Sequence, residues 1–357
     1  YRWLVQRYPL VRRNMSDSSR PRYNNSYIDM NGIFYKSLEA TQITGDVVTK
    51  EFISEVLRYL DMLVQITRPT DTLFIAVDGP APAAKAAQQR HRRYFAAKNY
   101  VDGSFKSVSF TPGTENMYQI HLALMDFIKE KTRTDLAWMK PKVIYSSSMV
   151  PGEGEHKILD YIRMRRAMNE WKPDQTHVLY STDADLIFLG LQTHEPYFSI
   201  IREADASNFQ KEVQKFEIKS AKTKYGYENF ELLHISMIRD YISIDFNAKG
   251  EKLEKTIDDF VALSLFIGND FIPDFHDVVI QKGGFNVVVD VYKEIKKTDE
   301  SFLVENGTFN KAFLKKVVEG ISKFFENNFT DSVQNGKQLH QTYLEANKKY
   351  ILSKYPQ

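Results

Sequence analysis

Seven acidic residues of this chain have the type and placement that metal-dependent hydrolysis requires. They comprise two doublets, in each of which the acids are two residues apart, and three single acids at expected element boundaries. They are Asp29, Asp78, Glu153, Glu155, Asp183, Asp185 and Asp270. Any one of them alone is explained as a turn or helix-capping residue, since Asp is common there. The recurrence of such acids along one chain favours a divalent metal site.

Short apolar runs precede the acids and predict the strands that would position them. Val143–Tyr145 and His177–Tyr180 are too short for helices, and each is followed by one of the doublets. Leu73–Val77 likewise leads into Asp78, and Tyr27-Ile28 leads into Asp29. Strands alternate with helical patterns, which predicts an α/β fold with a mostly parallel sheet and helices on both faces. Ligands of such sheets bind at the carboxyl ends of the strands, where these acids fall.

A regular helix would not aim both members of a doublet at one place. Residues two apart on a helix diverge by about 200°. Glu153 and Glu155 therefore need a bent backbone at a loop or helix start, and Pro151, Gly152 and Gly154 can supply that bend.

Electrostatics favours cations between these acids. Two carboxylates ~6 Å apart repel by roughly 3 kcal/mol at an effective dielectric constant of ~20. Two divalent ions would supply four positive charges against the seven negative ones, and neighbours such as Lys157 would offset part of the remainder. All-oxygen ligands favour Mg²⁺ or Mn²⁺ over Zn²⁺. Paired ions of this kind activate water for in-line phosphoryl displacement, so phosphodiester hydrolysis is the leading expectation.

A predicted helix over Ala83–Lys98 carries a polar stripe that suits phosphate. Lys85, Gln89, Arg92 and Arg93 follow the spacing i, i+4, i+7 and i+8 and share one face. A solvated helix face is the alternative interpretation. The position just beyond Asp78 favours a phosphate clamp, because arginine makes bidentate contacts with phosphate.

Composition narrows the class of protein. The chain has no cysteine, which excludes disulfides and thiolate metal sites and suits an intracellular protein. We expect a cytoplasmic location, with the nucleus as the alternative. The sequence contains no apolar run of about 18 residues, the length that would predict a membrane helix. The net charge of +2 does not by itself indicate a nucleic-acid binder. The first residues lack a methionine and a signal-like apolar core, and we expect a trimmed or partly ordered beginning.

An ordered series of motifs resembles the N-terminal catalytic region of the XRN family of 5′→3′ exoribonucleases, within the flap-endonuclease-like superfamily. The resemblance runs from about Tyr1 to Tyr292. The motifs are R-W-L-V-Q-R-Y-P, Y-I-D-M-N-G, F-I-A-V-D-G-P-A-P-A-A-K-A-A-Q-Q-R-H-R-R, F-T-P-G-T-E, V-P-G-E-G-E-H-K-I-L-D-Y-I-R, D-A-D-L-I-F-L-G-L-Q-T-H-E-P and G-N-D-F-I-P.

This resemblance implies a flap-endonuclease-like (PIN-like) catalytic domain over residues 1–292 and a helical C-terminal extension over 293–357. It gives the seven acids the role of ligands to two Mg²⁺ ions, for which Mn²⁺ can substitute. It makes Lys85, Gln89, Arg92 and Arg93 a pocket for one 5′-phosphate. The implied substrate is single-stranded RNA with a 5′-monophosphate, and the implied products are nucleoside 5′-monophosphates.

The chain departs from the family's pattern at two positions. Tyr35 stands where the family has a histidine that stacks on the terminal base, and its ring also offers a π face. Asp274 stands where a histidine is common. The resemblance also implies a partner protein or further segment that completes the active-site wall. A structure-specific 5′ flap endonuclease acting on DNA and a non-catalytic RNA-binding homologue are the alternative functions.

Overall fold

A computed structural model describes most of the chain in two compact units, Tyr1–Asp245 and Phe246–Gln357. The described residues are 2–15, 22–98, 105–169, 172, 174–183, 185–204, 230–269, 272–275, 278, 280 and 283–334.

The first unit alternates helices and strands along the chain. In order, its elements are α1 (Arg2–Arg7), β1 (Arg12–Asn14), β2 (Asn25–Asp29), α2 (Asn31–Thr41), α3 (Lys50–Thr67), β3 (Thr72–Ala76), α4 (Ala83–Lys98), α5 (Glu115–Thr134), α6 (Leu136–Met139), β4 (Lys142–Ser146), α7 (Gly154–Ala167), β5 (Thr176–Tyr180), α8 (Leu186–Leu191), β6 (Tyr197–Glu203), β7 (Phe230–His234) and α9 (Ile235–Asp245).

In the described part of this unit, seven strands form one mixed sheet in the order β1-β7-β6-β5-β2-β3-β4. The run from β6 to β4 is parallel, whereas β7 is antiparallel to both β6 and β1. Every residue of β2 and β3 is buried, as expected of central strands covered on both faces. The predicted mostly parallel sheet is confirmed.

Helices cover both faces of this sheet. Successive side chains of a strand point to opposite faces, so the apolar side chains of a central strand need cover on both. Leu73 and Ile75 of β3 belong to a core cluster that also contains Phe52 of α3. Phe74, between them, packs against Tyr161 of α7, with the ring centroids 5.0 Å apart. Burying each such side chain stabilises the fold by about 1.5–3 kcal/mol.

Two long helices on one side of the sheet begin at threonine caps. The Thr49 hydroxyl accepts the Phe52 N–H at 3.2 Å where α3 begins. The Thr114 hydroxyl accepts the Met117 N–H at 3.4 Å where α5 begins, and threonine is a favoured residue at such a position.

The second unit contains α10 (Glu251–Ser264), α11 (Gly284–Lys296), the hairpin β8 (Val304–Glu305) and β9 (Thr308–Phe309), and α12 (Lys311–Gln334). The buried carboxylate of Asp259 connects three of these elements. It accepts the Tyr292 hydroxyl at 2.6 Å and the backbone N–H groups of Leu303 and Val304 at 2.9 and 2.8 Å. The predicted helical C-terminal region is confirmed, and the functional division after Tyr292 stays a prediction. None of the described helices is both long and apolar enough to cross a membrane.

Candidate metal centre

Six of the seven predicted acids lie at one edge of the sheet. Asp29 is the last residue of β2, Asp78 follows β3, and Asp183 and Asp185 follow β5. Glu153 and Glu155 lie at the start of α7, which follows β4. The order β5-β2-β3-β4 makes these strands neighbours, so their carboxyl ends share one rim. The seventh acid, Asp270, lies outside the described residues, and Asp274 is exposed in the second unit.

Ligand atoms in this cluster approach one another closely enough to share a cation. Carboxylate oxygens of Glu155, Asp183 and Asp185 lie within 4.8 Å of one another. A second group within the same limit consists of Glu153, Glu155 and the partly exposed His156. Glu155 belongs to both groups and therefore connects them.

Gly154 fits between two of the acids because it has no side chain. Its N–H donates to Asp78 Oδ1 at 2.6 Å. A Cβ at this position would lie 2.8 Å from Asp29 Oδ1 and 3.4 Å from Asp78 Oδ1. This close approach lets α7 begin directly beside the ends of β2 and β3.

The loops after β3 and β4 bind each other through their backbones. Gly79 N–H donates to Gly152 O at 2.9 Å, and Gly152 N–H donates to Pro80 O at 3.0 Å. A Cβ on Gly79 would lie 1.8 Å from Val150 O, and Gly152 has a φ of +105°. Gly152 contributes to the predicted bend, and the contact between the two loops holds Asp78 beside Glu153.

Lys157 stabilises the same loops rather than pairing directly with a carboxylate. Its buried ammonium donates to Val77 O at 2.8 Å and Ser147 O at 2.9 Å. Desolvation lowers the pKa of Lys157 to about 8, and the nearby Asp78 carboxylate opposes that change. Its positive charge therefore acts on Asp78 from a distance. There it opposes the rise that burial causes in the pKa of the Asp78 carboxyl.

Burial and mutual repulsion raise the pKa values of the acids. Burial, followed by the charges of Asp78 and Asp183, raises the pKa of Asp29 to about 8. Burial and then the charge of Asp185 raise the pKa of Glu155 to about 9. The pKa of Asp78 is raised as well, mainly by burial. Without cations, part of this cluster is therefore protonated near neutral pH.

The donor set suits a hard divalent cation. Within the described part of the chain, Glu153 Oε1 and Glu155 Oε2 are buried without a hydrogen-bond partner. Buried carboxylate oxygens normally have a donor, and Mg²⁺ and Mn²⁺ prefer oxygen ligands of this kind. The residues present therefore fit such an ion.

The polar stripe of α4 lies next to this cluster. Lys85 Nζ is 3.2 Å from Glu153 Oε2, and both side chains are largely buried. Gln89 and Arg93 are half-buried, whereas Arg92 is exposed. Helix α4 has five basic residues and no acidic one. Tyr35 lies on α2, is 43% exposed and meets Phe110 edge-on at 5.9 Å.

The sequence interpretation missed Asn31, a residue that joins two of the acids. Its side-chain oxygen accepts the Asp78 N–H at 3.2 Å, and its own N–H donates to Asp29 Oδ1 at 3.3 Å. The available signal was an asparagine at the first helical position after an acidic strand end. His156 was also missed, although it follows the Glu153–Glu155 doublet directly.

The fold and the site define a class of protein in which a mostly parallel α/β sheet presents a carboxylate cluster at one edge. Residues 1–204 match the family described as XRN 5′-3′ exonuclease N-terminus. Residues 251–354 match the family described as Xrn1 helical domain. Because the first match covers more than half of the sequence, the chain belongs to the XRN 5′-3′ exonuclease family.

Named relatives are similar over nearly the whole chain. The 5′-3′ exoribonuclease 1 of Saccharomyces cerevisiae is 32% identical over 98% of this chain and 24% of its own length. The human 5′-3′ exoribonuclease 1 is 32% identical over 93% of this chain and 20% of its own length. The 5′-3′ exoribonuclease 2 of Arabidopsis thaliana is 30% identical over 91% of this chain and 39% of its own length. The chain thus spans between a fifth and two fifths of the length of these relatives.

Solved structures show a weaker likeness. The catalytic core of Rad2 in complex with DNA substrate has a TM-score of 0.43 and 13% identity, over 88% of this chain and 79% of that one. The T5 D15 protein co-crystallized with metal ions has a TM-score of 0.38 and 10% identity, over 86% and 87%.

Proposed function

We propose that this protein is a metal-dependent 5′→3′ exoribonuclease that degrades single-stranded, 5′-monophosphorylated RNA to nucleoside 5′-monophosphates. One observation carries the proposal: six carboxylates from four neighbouring parallel strands meet at one rim, with two buried oxygens lacking hydrogen bonds among the described residues. Family membership and the names of the relatives, 5′-3′ exoribonucleases, support RNA as the substrate and the 5′ end as the starting point.

The acids would hold two Mg²⁺ ions, with Mn²⁺ able to substitute and Asp270 completing the set. Bound in pairs, such ions activate water and stabilise the leaving oxygen of a phosphodiester. The protein's own contribution is positioning. The Gly154 N–H donates to the Asp78 carboxylate. The Asn31 N–H donates to the Asp29 carboxylate, and the Asn31 side chain accepts the Asp78 N–H. Lys85 forms an ion pair with Glu153. Asp29, Glu153 and Glu155 are buried, so their charges act more strongly than they would in solution, whereas Asp183 and Asp185 are exposed.

Lys85, Gln89, Arg92 and Arg93 form the proposed pocket for the 5′-monophosphate. Two facts support this assignment: Lys85 reaches the acidic cluster at Glu153, and the face carries no acid that would repel phosphate. A pocket for one phosphate excludes capped or triphosphorylated ends. Tyr35, with an exposed ring on the helix that follows Asp29, is the proposed stacking partner of the terminal base.

Three further proposals concern the active-site wall, the extent of the catalytic region and the location of the protein. A partner protein or a further segment would complete the wall opposite Tyr35. The catalytic region would extend to Tyr292, so that Asp270 contributes to the site. The protein would act inside the cell, in the cytoplasm.

One substrate panel tests the function. The protein is incubated with 5′-phosphate-labelled single-stranded RNA, single-stranded DNA and a 5′-flap DNA, with and without Mg²⁺. We expect labelled mononucleotide from the RNA alone and only with Mg²⁺, and we expect Asp183→Asn to remove turnover while RNA binding persists. Cleavage restricted to the flap would instead favour the DNA endonuclease, and binding without any cleavage would favour the non-catalytic homologue.

A further inference from the structure

Ser181 is the first residue after β5 and is buried, with 3% of its surface exposed. Its backbone N–H donates to Ile201 O of β6 at 3.4 Å, which continues the pairing of the two strands by one step. The position of its side chain is therefore set by the sheet rather than by a mobile loop.

The hydroxyl of Ser181 joins two acids that come from different strands. It donates to Asp29 Oδ2, at the end of β2, at 3.2 Å. It also accepts the backbone N–H of Asp183, beyond β5, at 3.5 Å. A serine hydroxyl can donate one hydrogen bond while it accepts another, so both contacts are compatible.

Asp29 is held at both oxygens as a result. The Asn31 N–H donates to Oδ1 at 3.3 Å, and Ser181 donates to Oδ2. Two donors on opposite oxygens fix the rotation of the carboxylate. Each oxygen keeps a further lone pair, so the carboxylate remains available as a metal ligand.

We propose that Ser181 is a positioning residue of the metal centre, whose hydroxyl fixes the Asp29 carboxylate relative to the segment that carries Asp183. The inference rests on the proposed function in that the rim must bind divalent cations. Residues that orient metal ligands through hydrogen bonds typically change metal affinity by about 10- to 100-fold when they are replaced.

If Ser181 had a purely structural role, its replacement should affect metal binding no more than the replacement of another buried serine. Ser199 provides this matched control. Ser199 lies on the neighbouring strand β6, is buried with 6% of its surface exposed, and shares a hydrogen bond with His234 Nδ1 at 3.2 Å. Replacing either serine by alanine removes one buried hydroxyl from a strand or its end. Only Ser181 contacts the acids.

The test is a titration of the metal-free protein with Mn²⁺, in which free Mn²⁺ is followed by electron paramagnetic resonance. We expect Ser181→Ala to weaken Mn²⁺ binding by about tenfold or more, and Ser199→Ala to leave it within about twofold of the wild type. The Mg²⁺ concentration for half-maximal RNA cleavage should rise in parallel for Ser181→Ala. Thermal unfolding without metal should give similar midpoints for the two variants.

Unchanged Mn²⁺ affinity in Ser181→Ala would overturn the inference, and so would an equal loss in Ser199→Ala. If Ser181→Ala does not fold, Ser181→Cys replaces it, since a thiol has a similar shape but is a weak donor. The metal titration needs no RNA. A wild type that binds Mn²⁺ but leaves RNA intact would therefore refute the proposed function and not the role of Ser181.

Discussion

Gly154 shows how much the cluster depends on a single missing side chain. We predict that Gly154→Ala reduces RNA cleavage by about a hundredfold, because a Cβ 2.8 Å from Asp29 Oδ1 must displace that carboxylate or the start of α7. Overpacking of this kind should also lower the free energy of unfolding by about 1–3 kcal/mol. Steady-state cleavage and urea unfolding measure the two effects.

Gly32→Ala is the control for this substitution. Gly32 is also helical and near the rim, but a Cβ there would meet Thr182 Oγ1 at 3.5 Å, an ordinary contact. The cleavage rate of Gly32→Ala should stay within about threefold of the wild type, because the added methyl group displaces none of the acids. Alanine is also the better helix former, so the helix should not be weakened. An equal loss of RNA cleavage in the two variants would show that the close approach of Gly154 to Asp29 does not determine the cleavage rate.

Arg92 is the exposed member of the proposed phosphate pocket. We predict that Arg92→Ala lowers the preference for 5′-phosphate over 5′-hydroxyl RNA by about tenfold or more, because a charge-assisted hydrogen bond to phosphate contributes about 1.5–3 kcal/mol. The ratio of kcat/KM for the two substrates measures it. Arg90→Ala removes another exposed arginine from a different part of the α4 surface and should leave the ratio unchanged. A ratio unaffected by Arg92→Ala would remove Arg92 from the pocket.

At the scale of elements, Lys157 links helix α7 to the ends of β3 and β4. We predict that Lys157→Met lowers the free energy of unfolding by about 2–4 kcal/mol, because methionine keeps the packing of the stem while two carbonyls lose their donor. Urea unfolding is the measurement. Lys142→Met, an exposed lysine of β4, should change it by less than about 0.5 kcal/mol. A Lys157→Met variant as stable as this control would show that water replaces the ammonium.

The strands that carry the acids were predictable because their apolar runs are short and end in turn residues. The predicted Val143–Tyr145 and His177–Tyr180 each gained one or two residues, becoming Lys142–Ser146 and Thr176–Tyr180. Helix α7 begins at Gly154, within the segment where the spacing of Glu153 and Glu155 predicts a loop or helix start.

Other elements had no comparable sequence signal. Strand β1 is three polar residues, Arg12–Asn14, and is a strand only because β7 pairs with it. The hydrogen bonds of Asn31 and Ser181 depend on the sheet order β5-β2-β3, which no local pattern encodes. The convergence of the acids followed from a general rule about strand ends. The residues that orient them required the structure.

At the scale of the whole molecule, the acid cluster should set how stability varies with pH. The folded pKa values of Asp29 and Glu155, about 8 and about 9, lie above the value of about 4 expected in the unfolded chain. Between these limits the folded state binds more protons, so this contribution to stability is lost as pH rises from about 4 through the folded pKa values. We predict that Mg²⁺ raises the melting temperature of the wild type more at pH 8 than at pH 6.

Glu155→Gln isolates this effect. The neutral amide should raise the melting temperature of the metal-free protein at pH 8 by roughly 3 °C, flatten its pH dependence and reduce the stabilisation by Mg²⁺. Scanning calorimetry at both pH values, with and without Mg²⁺, provides the measurement. A metal-free wild type that is as stable at pH 8 as at pH 6, with no gain in the variant, would contradict the raised pKa values.

The pairing of β1 with β7 also bears on how the chain is made. Arg12 lies opposite Leu233, so β1 pairs with a segment that is synthesised more than two hundred residues later. At about 5–20 residues per second, that partner emerges at least ten seconds after β1. The parallel strands from β2 to β6 can assemble during this interval, and β1 can join the sheet only after β7 has been synthesised.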